Sequence, residues 1–195
     1  EFIDVIELLD NALSHDPNSS RANWLMAQIY ENHQQYNEAC QCYKAIYEQD
    51  KEFFPDVIEK MFICYQALDA EKEFFQFIRK VYDETGSTSA LIKYLTHIEQ
   101  VKGVNQAKTF ILTALKRRPT IRGFKHFVKM QMGDSKSEST SDNLEVITEL
   151  VTAYLNVKHR YSCRTCGFNS STHYWSCPSC HDWEQLKPVR GLDGE

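Results

Sequence analysis

Two Cys-x-x-Cys pairs near the end of the chain constrain it more than any other feature. They read Cys163-Arg164-Thr165-Cys166 and Cys177-Pro178-Ser179-Cys180, with ten residues between them. Two tight turns that each offer two thiolates supply the four soft donors of a tetrahedral metal centre. The flanks repeat as well: Tyr161 and Trp175 stand two residues before their pairs, and Phe168 and Trp183 follow them. Gly167, directly after Cys166, suits a turn that needs φ > 0 so that backbone N–H groups face sulfur. The prediction is two short hairpins related by an approximate twofold axis and clamping one ion. Zinc and iron both accept four thiolates in a tetrahedron, so the spacing leaves the metal open. Redox dithiols of the thioredoxin kind need a strand-to-helix setting that is absent here. Structural disulfides fit poorly, because there is no secretory leader and Cys40, Cys42 and Cys64 show no pairing pattern.

The remaining residues read as helices. Phe2, Val5, Ile6, Leu9, Ala12 and Leu13 follow helical spacing, and Asp16-Pro17 ends that segment. Helices are also predicted over 21–32, 36–49 and 120–132. A period of 34 then emerges: Tyr43, Phe77 and Ile111 are spaced by 34 and 34, Ala39 and Ala107 by twice 34, and Pro17 and Pro119 by three times 34. A 34-residue helix-turn-helix period with small residues at fixed positions is the tetratricopeptide signature. Units are expected near 20–53, 54–87 and 88–121, with an irregular last unit over 122–157. Glu73 departs from the pattern where alanine is expected, and Trp24 lies one place from the usual tryptophan position. In this phase the first helix is the second half of a unit. Together with a start at Glu1 rather than Met, that points to a piece of a longer chain.

Between the last two helices lies the polar run Gly133–Ser141, predicted as a loop, with Asp142 and Glu145 as a capping box for a helix carrying Leu144, Ile147, Val151 and Leu155. Almost no linker separates that helix from the cysteine module, so the module is expected to dock on the final repeats. Lys187 to Gly194 reads as an extension that packs rather than a free tail.

Of 195 residues, 42% are hydrophobic and the net charge is −5. That balance excludes nucleic acid as the expected partner. Residues 158–195 carry five Lys/Arg against four Asp/Glu, and four thiolates with one divalent ion would bring this +1 to about −1. No apolar run approaches the ~20 residues that span a membrane. Cys40, Cys42 and Cys64 are expected as buried small hydrophobes, and His173 and His181 as surface residues beside a site already filled by sulfur. No nucleophile–base set, paired carboxylates or phosphate loop is present, so no enzymatic activity is predicted. The basic residues at 116–118, 122, 125 and 129 are compatible with phosphate or membrane contact and equally with a solvated face.

The repeats followed by Cys163-x-x-Cys166-Gly167-Phe168, Tyr174-Trp175-x-Cys177-Pro178-x-Cys180 and Lys187-Pro188-x-Arg190-Gly191-Leu192-Asp193-Gly194 resemble the lipopolysaccharide assembly protein B family of Gram-negative bacteria. The resemblance implies a tetratricopeptide superhelix over 1–157 and a rubredoxin-like, zinc-ribbon β module over 158–195. It implies that Cys163, Cys166, Cys177 and Cys180 hold the metal. It implies a non-enzymatic regulator of lipopolysaccharide synthesis at the cytoplasmic face of the inner membrane, anchored by an N-terminal helix outside this sequence. Its implied partners are a membrane-anchored AAA protease, the deacetylase that commits precursor to lipid A, and lipopolysaccharide transport and assembly proteins. His181 stands where rubredoxins have glycine, which weakens the alternative of a redox-active iron protein that carries electrons. If the first helix of each unit lines a concave groove, then Trp24, Gln28, Glu31, Phe62, Tyr65, Lys93 and Thr96 face partners.

Overall fold

The computed structural model describes residues 2–132 and 138–195. Helices α1 (Phe2–His15), α2 (Ser20–Asn32) and α3 (Tyr36–Gln49) lead to a single 3₁₀ turn at Phe54–Asp56. Then follow α4 (Ile58–Ala67), α5 (Glu71–Thr85), α6 (Thr88–Lys102), α7 (Val104–Arg117), α8 (Ile121–Met132) and α9 (Glu138–Asn156). Three short strands close the chain: β1 (Tyr161–Cys163), β2 (Asn169–Ser170) and β3 (Leu186–Pro188), in the order β2-β1-β3. No described helix is long and apolar enough to cross a membrane.

Local chemistry sets several helix boundaries. The Ser19 hydroxyl accepts from the Ala22 N–H at the start of α2, and Ser87 does the same for Ala90 at α6. Each satisfies one of the N–H groups that a helix start leaves without an internal partner. Gly103, at φ +83°, separates α6 from α7, a conformation that costs a residue without Cβ little. Asp50 ends α3, and its Oδ1 accepts from the N–H groups of Glu52 and Phe53, turning the chain toward the 3₁₀ segment.

Two compact units result. One comprises Glu1–Phe74, Arg164–Cys166 and Tyr174–Lys187, and the other Phe75–Cys163, Gly167–His173 and Pro188–Glu195. The core of the first contains Tyr43, Ile46, Tyr47, Phe54, Ile58 and Met61, all at most 2% exposed. Ala27 and Ala39 are fully buried there, and small side chains at such positions let two helices approach closely. The core of the second gathers Leu91, Leu95, Ile98, Ala107, Ile111, Ala114 and Met130, with Tyr82, Tyr94 and Phe110 packed against it.

Several expectations need correction. Helix α9 already begins at Glu138, so 138–141 are helical and Asp142 lies inside the helix rather than at its cap. The predicted loop residues 133–137 lie outside the described residues. In α8, predicted over 120–132, helical spacing from Val128 would bury Phe124 one turn earlier, yet Phe124 is exposed while Gly123, Val128 and Met130 are buried. Cys40, Cys42 and Cys64 are buried as expected, but two of them are not simple hydrophobes. The Cys40 and Cys64 thiols hydrogen-bond each other, and the Cys64 Sγ also reaches Glu31 Oε1 at 3.4 Å. Glu31 in turn accepts from the Tyr43 hydroxyl at 2.7 Å. Only Cys42 behaves as predicted, its thiol pushed up to about 11 by burial.

Residues 189–195 pack, as the sequence reading anticipates. The Glu195 N–H donates to the Val189 carbonyl at 2.8 Å and the Gly191 N–H to the Glu195 carbonyl at 3.0 Å, closing a tight loop. A Cβ on Gly194 would fall 1.8 Å from the Val189 oxygen, so only glycine fits there. The Asp193 carboxylate accepts from the Tyr154 hydroxyl at 2.8 Å and pairs with Lys158 at 3.1 Å. The Ile121 N–H, at the start of α8, donates to the Leu192 carbonyl at 2.8 Å. The Glu195 side chain, 7% exposed, accepts from Ser87 Oγ, the Ser89 N–H and hydroxyl, and the Arg122 guanidinium.

Burial opposes the Glu195 charge, but Arg122 and the serine donors outweigh it and hold this carboxyl below its ordinary value of 4.5. A depressed folded-state value means that the unfolded chain takes up the proton first. The carboxylate therefore contributes stability above about pH 4.5, which is lost as pH falls through the folded value. Residues 191–195 are expected to lose amide protection in that acid range while α6 and α8 keep theirs. Protection unchanged well below the ordinary glutamate range would show that Glu195 does not hold the loop.

Candidate metal centre

Both cysteine pairs lie in turns built the same way. In the first, the Cys163 N–H donates to the Phe168 carbonyl at 2.8 Å and the Gly167 N–H donates back to the Cys163 carbonyl at 3.0 Å. In the second, the Cys177 N–H donates to the Asp182 carbonyl at 2.9 Å and the His181 N–H to the Cys177 carbonyl at 2.9 Å. The residue after each second cysteine takes positive φ: Gly167 at +75° and His181 at +60°. The second turn thus places a side chain where the first has none, and a non-glycine residue in this region costs about 1–2 kcal/mol. The turn closes despite that cost.

The four Sγ atoms lie within 4.8 Å of one another. Cys166 and Cys177 are 3.7 Å apart. A regular tetrahedron with bonds of about 2.3 Å has edges of about 3.8 Å, so the sulfurs fit a single four-coordinate ion. Among the described residues this is the one such group of His, Cys, Asp or Glu side chains. Cys163 and Cys177 are buried, Cys180 is half-buried and Cys166 is exposed. His173 packs edge-on against Tyr161 at 5.4 Å and His181 is exposed, so neither enters the donor set.

A polar and aromatic frame holds the two turns and the start of β3. Thr165 donates to Asp182 at 2.7 Å, and Ser176 and Trp183 form a bridge between the two arms of the turn. Trp175 packs on Phe53 at 5.0 Å, and Phe53 meets Trp24 edge-on at 5.8 Å. Arg21 lies over the Trp183 ring at 4.8 Å, and Glu184 Oε1 accepts from the Arg21 N–H at 3.2 Å. Arg164 pairs with Glu52 at 3.0 Å. Lys187 pairs with Asp50 Oδ2, both side chains being at most 15% exposed. Asp50 thus ends α3 with one oxygen and holds the module with the other. The docking expectation therefore holds for only part of the module: Arg164, Trp175, Trp183, Glu184 and Lys187 sit on the stretch from Ser19 to Phe53. The residues 191–195, by contrast, meet α6, α8 and α9.

The seven residues predicted to face partners separate into different surroundings. Trp24 is half-buried and lies beneath the Lys60 ammonium at 5.4 Å. Glu31 is the acceptor for Tyr43 and Cys64 and pairs with Lys60 at 3.7 Å. Gln28 is half-buried on the same helix. Phe62 and Tyr65 both pack on Phe74, at 5.0 and 5.6 Å, and Tyr65 is only 6% exposed. Lys93 and Thr96 lie in α6, half-buried, with the Thr96 hydroxyl bonded to the Lys93 carbonyl. Sequence reasoning missed Phe53, Asp50 and Glu52, whose side chains receive the module. Apolar spacing and charge mark them as core or surface residues without saying what covers them.

Comparison with known proteins agrees with the geometry. Residues 161–188 match a family model described as a rubredoxin metal binding domain. Over 187 residues the chain is 30% identical to lipopolysaccharide assembly protein B of Escherichia coli strain K12, covering 96% of this chain and 48% of that protein. This chain is a homologue of lipopolysaccharide assembly protein B. The Haemophilus influenzae protein of the same name is 25% identical over 182 residues, 93% of this chain and 46% of that protein. The chain therefore spans about half the length of the curated relatives it matches.

Proposed function

We propose that this chain is the metal-bearing, partner-binding part of a non-enzymatic adaptor in lipopolysaccharide assembly. Its similarity to lipopolysaccharide assembly protein B along 96% of its length, cysteine module included, carries this reading. In this reading residues 1–157 form a tetratricopeptide array. Support comes from helical or 3₁₀ segments that begin at Ser20, Phe54 and Thr88, intervals of 34 and 34, followed by α8 at Ile121. Ala39, Tyr43, Ala107 and Ile111, all positions of that period, are fully buried, while Phe77 is half-buried.

The adaptor works at the cytoplasmic face of the inner membrane and brings the lipid A-committing deacetylase to a membrane-anchored AAA protease. Binding client and protease together turns a bimolecular encounter into a local one, which needs surface and no catalytic pocket. The ion supplies folding energy rather than electrons. What supports a structural role is the set of ion pairs and ring contacts that tie Arg164 of the first turn, Trp175 beside the second and Lys187 of β3 to Glu52, Phe53 and Asp50. The test is the half-life of the deacetylase in cells whose full-length protein carries Cys163→Ser with Cys166→Ser. Slowed turnover is expected with the variant at normal abundance and still membrane-anchored. Normal turnover under those conditions would make the module dispensable and sink the proposal.

A further inference from the structure

Residues of α6, α8 and α9 line an open pocket of about 190 Å³: Ile92, Arg122, Lys125, His126, Lys129 and Leu155. Four of these six side chains are basic and none is acidic. A cavity this size is smaller than the ~300–1,000 Å³ of pockets that enclose a whole drug-sized ligand, so it suits a compact charged group. Arg122 is already oriented, because Glu195 and Ser89 hold its guanidinium. Lys125 and Lys129, one helical turn apart on α8, have no ion-pair partner among the described residues. After Arg122 is balanced by Glu195, the lining retains two positive charges. His126 is half-buried, and its Nε2 is fully buried without a hydrogen-bond partner among the described residues. Such an unsatisfied nitrogen beside two uncompensated ammonium groups costs stability unless something else is gained.

We propose that this cavity is a binding site for a phosphate monoester, with the Lys125 and Lys129 ammonium groups and the fixed Arg122 fork as its donors. A dianion matches the surplus of two positive charges, where a carboxylate would leave one uncompensated. Arg and Lys together suit phosphate, the first as a planar fork and the second as a point charge. Ile92 and Leu155 give the pocket an apolar edge against which the ester's carbon chain can lie. This site is independent of the adaptor reading and shares no residue with the metal centre.

The test uses the whole metal-loaded chain, titrated with glycerol 3-phosphate and with methyl sulfate, which is isosteric at the head group but singly charged. Saturable binding of the phosphate ester is expected, with amide shifts confined to α6, α8 and α9 and clearly weaker binding of the sulfate. Burial and Lys129 lower the His126 pKa against the pull of Glu99, so a dianion in the cavity should raise its titration midpoint. Lys125→Ala with Lys129→Ala, the first half-buried and the second exposed, should weaken binding roughly tenfold or more with the melting temperature little changed. A second arm uses phosphatidylcholine vesicles with and without phosphatidic acid. Lysine-dependent binding to the phosphatidic acid vesicles alone would make the ligand a lipid head group, and binding of the soluble ester would make it a free metabolite; either supports the site. Absence of saturable binding in both arms, or binding unaffected by the double substitution, overturns it.

Discussion

Stripping the metal, or replacing Cys177 with serine, is expected to unfold residues 160–186 and to leave the helices largely intact. The module is short, and among its described residues only Tyr161, Cys163, Cys177, Leu186 and Pro188 are buried. That is too little apolar surface to offset the ordering of about 25–30 residues at ~1–2 kcal/mol of backbone entropy each. A structural zinc contributes ~10–16 kcal/mol in small peptides, and the sulfur geometry here places that energy on one ion. Cys177 is fully buried and lies 3.7 Å from Cys166, so a serine there removes a ligand at the centre of the fold. Hydrogen exchange read segment by segment gives the answer. Protection should collapse between Tyr161 and Pro188, with the far-ultraviolet helical signal nearly unchanged. Amide protection that survives chelation in that segment would show that packing, not the ion, holds the module.

Phe53→Ala should have the second large effect, and by a different route. Phe53 is 3% exposed and its ring meets both Trp24 and Trp175. Truncating a buried phenylalanine costs ~3–5 kcal/mol, part of it for the cavity left behind. Here the cavity would open where the second cysteine turn is seated. The Lys187–Asp50 and Arg164–Glu52 pairs would remain, but Arg164 is exposed, and exposed pairs contribute about 0–1 kcal/mol. The variant should lose stability in urea by the amount given and lose protection over 174–187, while still binding one equivalent of metal. A loss under about 1 kcal/mol would mean that the aromatic contact is incidental and that the ion pairs seat the module. Loss of the metal together with the seat would show that docking and coordination are one cooperative event.

The metal centre was legible in the sequence because its information is local. A Cys-x-x-Cys turn places both thiolates by its own backbone, and the repeat of flanking residues discloses its twin. The two turns then match bond for bond, down to positive φ at Gly167 and His181. Helix positions were legible for a similar reason: apolar spacing and the 34-residue period mark where helices begin and which face is buried. Such spacing says that a face is covered without saying by what. Only tertiary structure decided that Asp50, Glu52 and Phe53 receive Lys187, Arg164 and Trp175 of the cysteine module, and that residues 191–195 close on α6 and α8 through Glu195 and on α9 through Asp193. Only it joined Cys40 to Cys64 and Glu31, residues up to 33 apart whose meeting is set by how α2, α3 and α4 pack. The start of α9 at Glu138 belongs with these. Ser139, Thr140 and Ser141 prefer turns in isolation, and a weak local propensity of this kind yields readily to the packing of the helix it begins.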